Sequence, residues 1–397
     1  LSSTGGNGAD VLRKVPSVDV DIDGVVSIAG DANVTILIDG KRSGRTGSGR
    51  RGEIENIAAS MIEKVEVITN PSAKYDPDGV GGIINIVMKR GALDGFNGSI
   101  SGVAGDYNQQ NLNGNLNYRT DKLNLFTNMN YRTGDRVGDG LREFQWLYPD
   151  TARIDYLSQT TNRTSTPNNL GFRIGGDYYP SSNKTIGYTL DISEHKELEQ
   201  NNINYLINTR DPLEIGLKQM EENDDGSHID HVLSYENKYD TDKKLLKAYA
   251  SYAHEIDDVF ETGTMENQNG LDYKSSDTKT LEDNTNITMA IDYENEYTEK
   301  LDIETGLKFT IRNFGEDLNY LKYKYENDYE EDIYAAYLIT KYDLTDRFGF
   351  KIGARFEQVE TKANLSGPTL TDDDSLNIIT KIFDQAISES PFDNPYT

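Results

Sequence analysis

The sequence predicts a small α+β domain over residues 1–94, followed over residues 95–397 by an antiparallel transmembrane β-barrel. About 11 strands are expected there, half of a 22-stranded barrel. Three observations predict this. From about residue 96 onward, runs of ten to thirteen residues alternate apolar and polar side chains, the period of a strand with two different faces. A tyrosine-marked tight turn recurs along the same region and alternates with long polar connections. The composition, 25 Tyr and 35 Gly beside one Trp, suits pleated surfaces and turns, and the mean hydropathy is negative. No run approaches the roughly 18 consecutive apolar residues of a membrane helix, whereas a barrel dilutes its hydropathy with lumen-facing side chains and polar loops.

In the N-terminal domain the pattern predicts a helix near 8–14, strands near 18–28 and 34–38, a Gly/Arg loop, a helix near 53–60, and strands near 63–69 and 82–89. Val34, Ile36 and Ile38, Val65 and Val67, and Ile84 and Ile86 repeat at spacing two, so these strands bury a face and the segment is no disordered tail. Pro71 is expected to stop the strand before it, and Gly79, Gly81 and Gly82 to permit a tight, positive-φ approach to the last strand. A globular segment ahead of a wide barrel suggests a lumen plug.

The barrel strands are expected near 96–104, 111–118, 123–132, 168–178, 184–193, 229–238, 244–254, 283–294, 299–311, 329–340 and 347–358. Two of the cleanest put Leu170, Phe172, Ile174 and Tyr178, and Leu301, Ile303, Leu307, Phe309 and Ile311, on the outer face. The repeat places a Tyr, a short polar turn, a cation and an apolar residue at Tyr118, Tyr179, Tyr239, Tyr297 and Tyr342, as a girdle at one membrane interface would. Connections near 133–167, 194–228, 255–282 and 312–328 are expected to be long external loops. Eleven strands are odd where bacterial barrels have even numbers, so residues 359–397 are expected to be an unfinished external loop. The sequence opens at Leu1 without Met, a basic n-region or an apolar h-region, so a secretion signal is expected to have been cut off or never to have been part of it.

Charge and motifs narrow the function classes. Residues 1–94 carry 11 Lys+Arg against 13 Asp+Glu, leaving 29 against 54 for the rest, an acidity that disfavours a nucleic-acid partner. Zero cysteines exclude disulfides, thiol catalysis and thiolate metal sites. Gly47-Ser-Gly-Arg-Arg-Gly52 fits a dinucleotide fingerprint in letters only: it starts nine residues beyond Ile38 and no βαβ repeat follows. It reads as a flexible basic loop in which Arg42, Arg45, Arg50 and Arg51 are candidates to face an anionic ligand. Asp19-Val-Asp-Ile-Asp-Gly24 opens like a calcium loop but has Gly30 at position twelve, where calcium needs a bidentate Glu. His195, His228, His231 and His254 fall in or beside the long connections, and nothing fixes a Ser-His-acid geometry. His228 and His231, three apart, point to opposite faces of a strand, which disfavours a shared metal site. No catalytic residue, cofactor site or metal site is assigned.

Ile36-Leu-Ile-Asp39-Gly40, then Met61 to Tyr75 with Glu63, Val65, Glu66, Val67, Pro71, Ser72 and Tyr75, then Asp78 to Arg90 with Gly79, Gly81, Gly82, Ile84, Asn85 and Ile86, resemble the plug of TonB-dependent outer-membrane receptors. Asn70-Pro71 stands where Gly-Pro is commoner, and Asp76-Pro-Asp78 replaces a short Gly-containing turn. The resemblance implies residence in a Gram-negative outer membrane amid its lipid and uptake of an extracellular nutrient such as a siderophore, cofactor or glycan. It also implies a TonB-type energy-coupling protein acting through an upstream segment, and no enzymatic activity. A surface-binding or structural barrel that never transports is the alternative.

Overall fold

The computed structural model describes residues 8–20, 25–38, 40–42, 54, 57, 59, 62–69, 71–76, 81–88, 95–148, 153–208, 214–239, 244–267, 272–274, 277–320, 323–345 and 347–367. The N-terminal part is built from α1 (Gly8–Leu12), β1 (Val18–Val20), β2 (Val26–Ile28), β3 (Val34–Ile38), β4 (Lys41–Arg42), β5 (Ile62–Ile68) and β6 (Gly82–Met88). Four of these strands form a sheet in the order β4-β3-β6-β5, with β6 parallel to β3 and antiparallel to β5. Lying between two partners, β6 is buried almost along its whole length, and Ile84 and Ile86 sit in one core with Leu12, Ile28, Val34 and Ile54. This near-continuous apolar burial is what a strand covered on both faces requires.

One expected element is corrected. The strand expected over 18–28 is a hairpin, β1 paired antiparallel with β2 through Val18↔Ile28 and Val20↔Val26. A straight strand of that length would reach about 36 Å, beyond the small core. Folding back lets Val18, Val20, Val26 and Ile28 all enter it. The helix expected near 8–14 ends at Leu12. Of the helix expected near 53–60, the described Ile54, Ile57 and Ala59 are buried and the rest lies outside the described residues, as do Asp21 to Gly24.

The second part is one antiparallel sheet of β7 (Gly95–Ala104), β8 (Gln110–Arg119), β9 (Leu123–Thr133), β10 (Arg136–Tyr148), β11 (Arg153–Ser181), β12 (Lys184–Asn208), β13 (Glu214–Lys238), β14 (Lys244–Asn267), β15 (Asp272–Lys274), β16 (Thr278–Thr298), β17 (Leu301–Tyr320), β18 (Tyr323–Thr345) and β19 (Phe348–Ser366). The order β7-β8-β9-β11-β12-β13-β14-β16-β17-β18-β19 follows the chain, with β10 beside β11 and β15 beside β14. All eleven expected strands coincide with these elements, 299–311 and 347–358 starting two residues and one residue early. Among the described residues the sheet is open, with β7 and β19 as its edges.

Its two faces differ in chemistry. Outward side chains are apolar and open, Phe356 at 70% and Leu307 at 61% exposure, while inward Asn124 and Ile339 are at 0% and 2%. Inward polar groups satisfy one another: Asn117 Nδ2 donates to Asn124 Oδ1 at 2.8 Å, Asn124 Nδ2 to Asp177 Oδ2 at 3.2 Å, and Arg312 pairs with Glu331 at 2.9 Å. On β11 the outward apolar set runs from Leu170 to Tyr178, and above it Thr166, Thr164 and Asn162 take the same face. Nine residues at about 3.3 Å, tilted by about 40°, make a band about 23 Å tall, close to the roughly 25 Å of a membrane barrel's apolar belt. A band of that height on the outer face, and a polar inner face, are what a bilayer selects.

The long connections are the second correction. They are not irregular loops but upward continuations of the strands: β12 and β13 stay paired from Lys184↔Asn237 to Ile207↔Glu214, β14 and β16 from Lys244↔Asn295 to Glu261↔Thr278, and β17 and β18 up to Tyr320↔Tyr323. Residues 136–148 pair with the upper half of β11. Above the band both faces meet water, so alternation vanishes from the sequence, yet the ladder hydrogen bonds need no apolar side chain. The tyrosine girdle is also adjusted. At the second turn Tyr178 is the outward, exposed residue, while Tyr179 turns in, beside Arg119 at 5.8 Å from its ring centroid.

Candidate functional site

The N-terminal part meets the inner face of the sheet through the segment Pro71 to Asp76, which follows β5. Asp76 lies between two cations of the wall, pairing with Lys308 of β17 and, at 2.8 Å, with Arg355 of β19. Arg355 also donates to the Lys74 carbonyl at 3.3 Å. Lys74 reaches the other way, to Glu294 of β16 at 3.1 Å. Burial opposes the charge on Lys74, but Asp292, Glu294 and Glu304 outweigh it and hold its ammonium above the usual lysine range. Ala73 approaches the wall closely: a Cβ placed on Gly353 would stand 3.2 Å from the Ala73 Cβ, so glycine at 353 makes room for the segment.

The residues singled out in the sequence fall around this segment. Glu66 and Asn85 are cross-strand partners on β5 and β6, and Asn85 joins them to the turn after β3: its Nδ2 donates to Glu66 Oε2 at 2.8 Å and its Oδ1 accepts the Gly40 N–H at 2.8 Å. The exposed Lys64 and Asn85 hold the Glu66 carboxyl below the ordinary range. Val65 and Val67 pack on the core beneath, while Glu63 is exposed. The Ser72 carbonyl accepts from the Tyr75 N–H at 3.0 Å, a turn that presents Lys74, and burial raises the half-buried Tyr75 phenol. Gly82 has φ +128°, which an L side chain rarely adopts, and a Cβ there would meet the Ile68 carbonyl at 3.0 Å. Gly81 has an ordinary φ, but a Cβ would press on Asp31 at 2.8 Å. Asp39, Gly79, Arg45, Arg50 and Arg51 lie outside the described residues. Arg42 pairs its backbone with Leu37, and its side chain also lies outside them.

Above the apolar band, the inner wall of the tall hairpins is rich in carboxylates. Glu199, Glu222 and Glu261 stand directly opposite one another on β12, β13 and β14. Like charges so placed repel. Burial first, then Glu199, Glu261, Asp224 and Glu197, push the Glu222 carboxyl up to about 7. The four histidines lie on paired strands rather than in loops. His228 is buried on the inner face, in a cross-strand row with Ser193 and Glu255, and His231 faces outward, its Nδ1 2.8 Å from the Tyr188 hydroxyl. Among the described residues, the donors that converge as a metal site requires are His195, Asp224 and Asp257, with ligand atoms within 4.8 Å of one another.

Sequence reasoning missed the wall's half of every one of these contacts. Asp76 and its partners are 232 and 279 residues apart, and no local pattern carries such a pairing. What could be read was the inner parity of Lys308 on its strand, which marks it as lumen-facing but not as a plug contact.

Residues 2–83 match the TonB-dependent receptor plug domain family, and residues 237–383 match an outer membrane protein β-barrel family. Similar solved structures include the unliganded ferric citrate transporter FecA, 11% identical over 91% of this chain and 72% of that one, with a TM-score of 0.38. The ferric yersiniabactin uptake receptor FyuA of Yersinia pestis is 12% identical over 91% and 70%, with a TM-score of 0.40. The siderophore receptor PirA of Acinetobacter baumannii is 10% identical over 91% and 90%, with a TM-score of 0.30.

Proposed function

The chain belongs to the TonB-dependent outer-membrane receptors of Gram-negative bacteria, and from that premise we propose that it imports a bulky nutrient, a siderophore-type metal chelate, cofactor or glycan, by moving its plug within the barrel. Residues 1–94 are the plug, and the tall hairpins are the external receiving face. A TonB-type coupling protein in the periplasm pulls on the N-terminal side of the plug.

The observation that carries this reading is the seat of Pro71 to Asp76. Among the described residues the plug is held to β16, β17 and β19 by ion pairs, Lys74 with Glu294 and Asp76 with Lys308 and Arg355, rather than by an apolar core. Charges in a polar lumen regain water when they separate, so such a contact opens at lower cost than a hydrophobic one of equal area. An element that must be displaced and reseated on each cycle needs that property.

The test is a reversible lock in the complete receptor. These 397 residues contain no cysteine, so Ala73→Cys with Gly353→Cys introduces a single disulfide among them, at a spacing close to the 3.5–4.5 Å disulfides favour. Oxidised, the variant is expected to bind nutrient but not import it, and reductant is expected to restore import. Import that continues with the crosslink formed rules out movement of this segment. Uptake unchanged across metal chelates, cofactors and glycans after deletion of the whole gene leaves a surface-binding barrel instead.

A further inference from the structure

We propose that His195, Asp224 and Asp257 bind one divalent transition-metal ion of the zinc class, joining three neighbouring strands of the hairpin wall. The three residues come from β12, β13 and β14 and share the inner face. The register explains how they meet. His195 is opposite Gly226, and Gly226 is opposite Asp257, so the imidazole and the carboxylate belong to strands that are not neighbours. They can approach only across the middle strand. A Cβ on Gly226 would lie 2.0 Å from His195 Cε1 and 2.1 Å from Asp257 Oδ1; the missing side chain is the space in which the two groups converge. Asp224, two residues from Gly226 on the same face, completes the set.

The spacing suits a metal. His195 Nε2 is 3.2 Å from Asp224 Oδ1 and 3.9 Å from Asp257 Oδ1. Ligands about 2.0–2.2 Å from a tetrahedral ion stand about 3.3–3.6 Å apart; the two imidazole–carboxylate spacings are within a few tenths of an ångström of that, and all three ligand atoms lie within 4.8 Å of one another. The donor set selects the ion. An imidazole nitrogen with two carboxylates suits zinc and its first-row neighbours, whereas calcium takes six to eight oxygens. Charge favours it too: two carboxylates face one imidazole, and Asp257 is 2% exposed, where a buried carboxylate is held by a cation or a metal. Glu197 and Glu282 add negative charge on the same face, Glu197 directly opposite Asp224 and Glu282 directly opposite Asp257. The His195 and Asp224 side chains are each 22% exposed, which leaves the fourth position open to water or to a ligand in the lumen.

The untagged full-length receptor, stripped with a chelator, is titrated with Zn2+ alone. One equivalent is expected to bind, and His195→Ala and Asp257→Asn are each expected to weaken it at least tenfold. His231→Ala, on the outer face, is expected to leave it unchanged. A measurement on the unaltered protein guards against misfolded variants: loaded with one equivalent of Cu2+, its pulsed EPR spectrum is expected to show a single coordinated imidazole. No zinc binding, binding indifferent to both substitutions, calcium binding as tightly as zinc, or a spectrum with no imidazole or with two overturns the proposal.

Discussion

Asp76 shows how much one residue decides when its partners are distant. Its side chain is 14% exposed and faces Lys308 and Arg355, at 17% and 10%, so Asp76→Ala removes the anion shared by two poorly solvated cations, although Arg355 keeps its pair with Glu357. Loss of one partner from such a set costs about 3 kcal/mol. Faster hydrogen exchange over residues 71–76 of the complete receptor is the expected readout, and exchange unchanged from the parent would show that the ion pairs do not seat the plug. Lys64→Ala, in an ion pair whose side chains are 57% and 39% exposed, should leave stability almost unchanged. Glu222 offers a pH test. Its folded pKa of about 7 lies above the ordinary 4.5, so below pH 4.5 it costs nothing, the cost grows as pH rises from 4.5 to 7, and it is complete above 7. Facing groups are Glu197 and Glu199 on β12, Lys218 and Asp224 on β13, and Glu261 on β14. In chelator-containing buffer, β12–β14 amides, corrected for intrinsic exchange, should be better protected at pH 5 than at pH 8, and Glu222→Gln should reduce the difference, leaving the part due to Glu261, whose carboxyl burial also raises. Equal protection in the parent at both pH values would refute the assignment.

At the scale of an element, each long strand has two parts with different solvents. On β11 the stretch Leu170–Tyr178 faces lipid on one side, and residues above it face water on both. Ile174→Arg therefore puts a charge near the bilayer midplane and should cost about 2–4 kcal/mol, whereas Asn162→Arg, on the same face eight residues above Leu170 at the band's upper end, should cost almost nothing. Urea unfolding in lipid vesicles checks both, and equal effects would mean the belt is misplaced. The membrane half of each strand was legible because a bilayer writes strict alternation into it. The upper half was not, because Thr, Asn, Glu and Asp on both faces look like loop while the backbone ladder holds them as sheet. The same blindness hid the β1–β2 hairpin, whose four core residues share one parity whether the segment is straight or folded back.

For the whole molecule the decisive feature is the open sheet. β7 and β19 present unpaired edges among the described residues, and a bilayer offers their backbone groups no water. A polypeptide of only these 397 residues is expected to aggregate on refolding into detergent and to show no heat-dependent mobility shift on gels. A folded, heat-modifiable monomer would mean that the edges close on each other.

By itself the sequence determined the order of its parts: a plug with spaced motifs, eleven strand positions, and an outer face for the cleanest membrane segments, with 244–254 and 329–340 ambiguous in facing. These are legible because period-two alternation and turn chemistry act between residues close in the chain. Only the tertiary structure decided which charges hold the plug, that the connections continue as tall hairpins, and that His195, Asp224 and Asp257 converge over Gly226. Such pairings depend on the register between strands tens to hundreds of residues apart, and register is set by the whole ladder of backbone hydrogen bonds rather than by any local pattern.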